Sequence, residues 1–331
     1  MNIVLLSGGA GKRLWPLSDC KPKQFFELLE TPEGIRESML QRTYRMLKSM
    51  SDTVDISVST SRDQEVLTRE QVGEKVDICL EPSTRNTFGA ILLVAAWLHD
   101  IKGVSDHEAV LACPVDSYFD EDFCRALGEL HDFVNRGDAN IALLGIKPKS
   151  VSEKYGYIVP KSAERVSEVD CFVEKPTRKL AAALIEKKAL WNCGVFGFRL
   201  RYILDIAGDL LGTFRYSDIF DNYSHIPEVP FDKAVVEKEK CVSVMKYDGE
   251  WSDIGTWDEL AKKMNGHPVG KARLIDSRDT FVFNDLNVPV LSVGVADLII
   301  AATQKGILVA DKSRAAEMKD YIVFPDADQS L

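Results

Sequence analysis

The chain has 331 residues, of which 45% are hydrophobic and 28% charged, with a formal charge of −10. That length suits a large α/β domain with a small appendage, and the composition is globular, neither disordered nor fibrous. The acidic balance excludes a general nucleic-acid binder, and the longest apolar run, residues 89–98, is about half of what a bilayer requires.

From the N-terminus, a strand is expected at once over 2–7, with no basic stretch or cleavage site before it, so no signal peptide is expected. Further short buried strands are read at 55–60, 76–80, 109–113 and 140–146, alternating with helices at 62–72, 87–100 and 121–136. Asn86 is placed to cap the second helix. Such alternation implies a doubly wound, mostly parallel α/β sheet, whose ligands sit at the carboxyl ends of the strands. From about 155 the pattern mixes: strands at 157–160, 169–174 and 195–199, and a helix over 178–187. After a linker at 266–270 come short β-rich runs at 280–283, 288–293, 298–302 and 306–310. The expected division is therefore 1–264 and a small β-rich domain at 270–331, without internal repeats.

Seven scattered cysteines without a C-x-x-C pair read as reduced thiols, which points to the cytoplasm. The five histidines show no zinc spacing.

Chemistry first concentrates after the first strand, in Ser7, Gly8, Gly9, Ala10, Gly11, Lys12 and Arg13. Glycines there let backbone N–H groups approach phosphates that a Cβ would block. The Walker A spacing fails, because Leu6 and Arg13 stand where Gly and Ser/Thr are required. The dinucleotide fingerprint fails at Leu14, so an NAD enzyme is excluded as well. What remains is a loop ending in cations, with Lys12 and Arg13 followed by Lys21 and Lys23. A triphosphate cradle explains them better than an ordinary turn with solvated lysines.

Other segments carry polar groups to the same expected edge. Glu81-Pro-Ser-Thr-Arg-Asn86-Thr87 follows a strand and opens a helix, as a helix cap would also do. Cys113-Pro-Val-Asp116-Ser117 ends another strand, and Asp116 reads either as a cap or as a hard ligand for Mg²⁺. In Phe172-Val-Glu174-Lys175-Pro176, the lysine suits a sugar phosphate and the glutamate its ring hydroxyls. Tyr155-Gly156-Tyr157, Trp191-Asn192-Cys193, Phe231-Asp232 through Glu237, and Trp251-Ser252-Asp253-Ile254-Gly255-Thr256-Trp257 complete the set. Trp251 and Trp257 read as packing residues.

In this order the motifs resemble the nucleotide-sugar pyrophosphorylases, and within them the bacterial mannose-1-phosphate guanylyltransferases, over about residues 1–262. The resemblance implies a Rossmann-like nucleotidyltransferase sheet and an enzyme that joins an NTP, GTP first, to a hexose 1-phosphate, mannose first. It implies that Arg13 and Lys23 act on the triphosphate, while Asp116 and Asp253 meet around Mg²⁺. Leu6, Gly8, Gly9, Gly11, Lys12, Glu81, Asn86 and Thr87 would bind the nucleotide. Gly156, Glu174, Lys175, Asn192 and Asp232 would bind the sugar phosphate, although Asp232 fits a structural role equally well. Thr84 and Ser117 depart from the family's usual Gly and His. Alternatives are the same chemistry with another nucleotide or with glucose, fucose or heptose 1-phosphate, and a non-catalytic regulatory relative. Members of the family often pair, which leaves a homodimer as one option. Longer members carry an isomerase domain, which this chain is expected to lack.

Overall fold

The computed structural model describes residues 1–9, 14–264, 267–315 and 317–321. The chain divides into two compact units, Met1–Gly8 with Thr43–Trp251 and Gly9–Arg42 with Ser252–Leu331. This grouping differs from a linear cut near residue 264, because the N-terminal loop goes with the C-terminal segment. A helix, α1 (Met39–Lys48), straddles the division.

In the first unit, β1 (Asn2–Leu6), β2 (Asp55–Ser61), β3 (Asp77–Glu81) and β4 (Ala109–Pro114) are parallel, in the order β3-β2-β1-β4. Their apolar residues are buried on successive, opposite-facing positions, as in sheets covered on both faces. The second half supplies β5 (Ile141–Ile146), β6 (Tyr157–Pro160), β7 (Val166–Val173), β8 (Leu190–Arg199) and β9 (Val242–Tyr247). The nine-stranded order is β3-β2-β1-β4-β8-β5-β9-β7-β6. Strand β8 enters antiparallel between β4 and β5, and β9 is parallel to β5. The expected strand at 195–199 is thus only the far half of β8, which begins at Leu190. Its register shifts between Asn192 and Phe196, and that irregularity hides the strand from simple alternation.

Helices α2 (Arg62–Val72), α3 (Asn86–Asp100), α4 (Glu121–Arg136), α5 (Arg178–Glu186), α6 (Leu200–Leu211) and α7 (Tyr216–Asp221) fill the connections. Helix α3 is buried continuously from Phe88 to Leu98 and packs on α6 and α7. A helix apolar on all sides belongs in a core, and this one forms its centre. Among the described residues, no helix is long and apolar enough to cross a membrane. Asn86 does not cap α3 as expected: the cap position is Arg85, and Asn86 is the first helical residue, with a left-handed φ of 60° and an Oδ1 that accepts the adjacent Thr87 N–H at 2.8 Å.

In the second unit, α8 (Trp257–Lys263) starts with a fully buried tryptophan. Its Nε1 donates to the Trp15 carbonyl at 2.9 Å, and its ring packs on Phe281 and Phe283. Both rings belong to a coil of strands: β10 (Ala272–Ile275), β11 (Phe281–Asn284), β12 (Val290–Val293), β13 (Leu298–Thr303) and β14 (Gly306–Asp311). Ala272 pairs in parallel with Val290, Arg278 with Ala296 and Phe281 with Ile299, a constant offset of 18 residues. The left-handed corners keep that offset, Asp276 with Gly294 and Asp279 with Asp297. The chain therefore does repeat, contrary to expectation. Between 272–284 and 290–302 only the Asp279/Asp297 pair is identical, so the repeat lies in the backbone. Strand β14 turns back antiparallel on β13.

Asp120 fixes the start of α4. Its carboxylate accepts the Phe123 N–H at 3.1 Å and the Glu250 N–H at 2.7 Å, and the Tyr247 hydroxyl also donates to it. Burial pushes the carboxyl up, but these donors outweigh burial and hold it below its ordinary range. The stabilisation is present above the unfolded carboxyl range, about 4, and is lost as pH falls through the lowered folded value. In urea unfolding, Asp120→Ala is expected to be about 1–2 kcal/mol less stable than wild type at neutral pH, with the gap shrinking as pH falls below about 4. A gap independent of pH would refute the assignment.

Candidate functional site

The site in the first unit builds outward from the bulge in β8. Trp191 and Asn192 lie opposite Ile146 and Gly145, the carboxyl end of β5. The Asn192 N–H donates to the Gly156 carbonyl at 2.8 Å, and its Nδ2 donates to Asp232 Oδ1 at 2.5 Å. Its Oδ1 accepts the Gly194 N–H at 3.1 Å. Gly194 has φ +79°, which favours glycine, and a Cβ there would lie in ordinary contact, 3.4 Å, with Pro114 at the end of β4. Gly156 is required by space: a Cβ would lie 2.7 Å from Glu174 Oε2 and from Phe172. Glu174 in turn pairs with the Lys175 ammonium at 2.7 Å. Five residues that the sequence marked for one half of a site, Gly156, Glu174, Lys175, Asn192 and Asp232, thus form one polar cluster.

Within it, burial and the neighbouring Glu174 carboxylate push Asp232 up to about 7, against Lys175 and the Asn192 amide. Asp232 opens a π-helical turn, Asp232–Val236, a geometry that recurs at functional sites. The preceding Phe231 N–H donates to Thr87 Oγ1 at 2.8 Å, which joins this cluster to the start of α3.

At the carboxyl end of β3, Glu81 is buried and accepts hydrogen bonds from the Ser59 hydroxyl at 3.2 Å and the Tyr223 hydroxyl at 3.0 Å. Burial pushes its carboxyl up, and the two hydroxyls partly offset this. Gly8, just past Leu6 and the end of β1, approaches so closely that a Cβ would sit 3.2 Å from Glu81 Oε1. Leu6, Gly8, Glu81, Asn86 and Thr87 therefore gather along the ends of β1 and β3 and the start of α3. Asp116, half-buried, follows β4.

In the second unit, Lys23 is buried in a short 3₁₀ turn and its ammonium lies 3.8 Å from Asp253 Oδ1. Gln24 Nε2 donates to the Gly9 carbonyl at 3.3 Å. Gly11, Lys12 and Arg13 lie outside the described residues. Among the described residues, no group of three or more His, Cys, Asp or Glu side chains could hold a metal ion. Magnesium is commonly held by one or two carboxylates together with substrate phosphates, and Asp116 and Asp253, in different units, each carry a carboxylate of that kind.

Sequence reading missed Tyr223 and Ser59, which stand behind Glu81, because neither lies in a motif. It also missed the parts played by Gln24 and Glu237, although Gln24 sits inside the basic segment and Glu237 ends the marked run from Phe231; the Glu237 Oε1 accepts the Glu174 N–H at 2.9 Å.

The nucleotidyl transferase family model matches residues 2–267, and the MannoseP isomerase/GMP-like beta-helix domain model matches 270–323. A mannose-1-phosphate guanylyltransferase of Escherichia coli is 30% identical over 358 aligned residues, covering 98% of this chain and 75% of its own. One from Klebsiella pneumoniae is 30% identical over 362, covering 98% and 74%. A solved structure described as mannose-1-phosphate geranyltransferase from Thermus thermophilus is 27% identical, with a TM-score of 0.84 over 97% of this chain and 98% of that one.

Because Asp232 holds its proton more tightly when folded, its contribution to stability is full below the unfolded range, about 4. It is lost as pH rises through about 7. Asp232→Asn keeps an oxygen acceptor for Asn192 and cannot ionise. Its stability relative to wild type should therefore climb between pH 5 and pH 8 in urea titrations, and a flat difference would refute the raised value.

Proposed function

We propose that this chain, which belongs to the nucleotidyl transferase family, transfers the guanylyl group of GTP to mannose 1-phosphate, giving GDP-mannose and pyrophosphate. The broader activity, nucleotidyl transfer to a sugar 1-phosphate, follows from its family and from relatives aligned over nearly the whole chain. The observation that carries the site reading is the single cluster formed by Gly156, Glu174, Lys175, Asn192 and Asp232, joined through Thr87 to the start of α3.

The incoming phosphate is an oxyanion near neutral pH, since its second pKa is about 6, so no side chain has to generate the nucleophile. One phosphate oxygen forms a bond to the α-phosphorus of the nucleotide as the bridge to the β-phosphate breaks, and pyrophosphate leaves with that electron pair. The protein's task is to align two polyanions that repel each other and to neutralise charge as it moves. In this reading Lys175 holds the sugar phosphate, while Glu174, Asn192, Asp232 and the backbone at Gly156 take the ring hydroxyls. Lys23 and Arg13 act on the triphosphate, with Gly8, Gly9, Gly11 and Lys12 cradling it beside Leu6. Glu81, Asn86 and Thr87 face the base.

Members of the family generally employ a divalent metal ion. Here Asp116 and Asp253 would hold Mg²⁺, which supplies positive charge to the phosphates when bound. Residues 1–264 form the catalytic domain in this reading and 270–331 a separate β-rich domain. All seven cysteines are free thiols, which supports a reducing, cytoplasmic setting.

Pyrophosphate release, screened over four nucleotides and several hexose 1-phosphates, should be fastest with GTP and mannose 1-phosphate. Lys175→Ala should lower turnover by about 10²–10³-fold, the range for a lost electrostatic group, and Asp253→Ala should lose most of the activity that added divalent metal supports. Preference for another pair would overturn the specificity. Full activity of Lys175→Ala would overturn the site.

A further inference from the structure

The π-helical turn makes a specific geometric provision. In an α-helix, residues five apart point about 140° away from each other. Here the Glu237 N–H donates to the Asp232 carbonyl at 2.9 Å, closing a turn in which the fifth residue comes to lie above the first. Two carboxylates are thereby delivered to the same cluster. Asp232 accepts from Asn192, and Glu237 accepts from the backbone N–H of Glu174 at 2.9 Å. The start of the turn is tied as well, through Phe231 N–H to Thr87 Oγ1 and Phe88 N–H to the Val229 carbonyl.

The peptide that Glu237 grips, between Val173 and Glu174, lies one residue before Lys175, whose φ is +45°. That left-handed conformation is unfavourable for a residue with a side chain, and it persists only where surrounding contacts enforce it. Lys175 is more than half exposed, so packing does not enforce it. The bond from Glu174 N–H to Glu237 restrains the backbone beside it, next to the ion pair of the ammonium with the Glu174 side chain.

We infer that Glu237 is a positioning residue for the sugar phosphate, fixing the backbone at Glu174 and so the direction in which the Lys175 ammonium is presented. The inference rests on the proposed role of Lys175. It assigns the π turn a purpose: a regular helical turn carrying Asp232 to Asn192 would carry Glu237 away from Glu174.

Steady-state kinetics with GTP and mannose 1-phosphate test it. Glu237→Ala should raise KM for mannose 1-phosphate about tenfold, the scale of one hydrogen bond to a charged acceptor, with KM for GTP unchanged. Glu237→Gln, which keeps an oxygen acceptor, should restore most of the loss, a rescue that a merely structural role does not predict. Thermal unfolding of each variant checks that it is folded. If the alanine variant is unstable, Glu237→Asp carries the same expectation at smaller size. An unchanged KM for mannose 1-phosphate, a parallel rise in both KM values, or no rescue by glutamine would overturn the inference. Lys175→Ala, run in parallel, separates the two readings. If it is impaired while Glu237→Ala is normal, only the role of Glu237 falls; if it is normal, both fall.

Discussion

Asn192 donates its backbone N–H to Gly156 and its amide to Asp232, and accepts the N–H of Gly194. The site in the first unit depends on that accounting. Asn192 is buried, so each bond it lost would leave a polar group without water, at a cost of about 1–3 kcal/mol. Satisfying all of them bends β8 out of register, sets Gly194 against Pro114 and draws the turn at 231–236 toward Gly156. A polar network of this kind is stable only when complete, and complete it has one arrangement.

Charge in the two units follows a common pattern. The chain is acidic overall, yet the two described lysines assigned to phosphates each rest near a carboxylate: Lys175 at Glu174, and Lys23 at Asp253. A carboxylate close to an ammonium restrains its direction. Glu81 differs. Buried and bonded by two hydroxyls, it shapes the floor beneath Gly8.

The parallel half of the sheet was legible because its strands are short apolar runs between helices with clear periodicity; α2 and α4 fall where their pattern puts them. Helix α3 was legible for its uniform apolarity. The sugar-side cluster was marked residue by residue through family motifs, but its mutual geometry was not, since Gly156, Glu174, Asn192 and Asp232 come from separate connections. Strand β9 and helices α1 and α6 went unread, and the bulge concealed the first half of β8. Tyr223 and Glu237 act through partners distant in sequence, Glu81 and Glu174, and no local pattern announces such pairings.

The coil in the second unit imposes a rule on how its length can vary. Strands β10 and β11 are matched to β12 and β13, 18 residues further on, and the left-handed corners are matched in the same way. Because neighbouring side chains in a strand face opposite sides, gaining or losing one residue between β10 and β12 would turn an inward-facing row outward. Insertions and deletions are tolerable there only as whole rungs, or as loops extruded at a corner. Kin of this chain should accordingly differ in the number of rungs far more readily than in the size of any one of them.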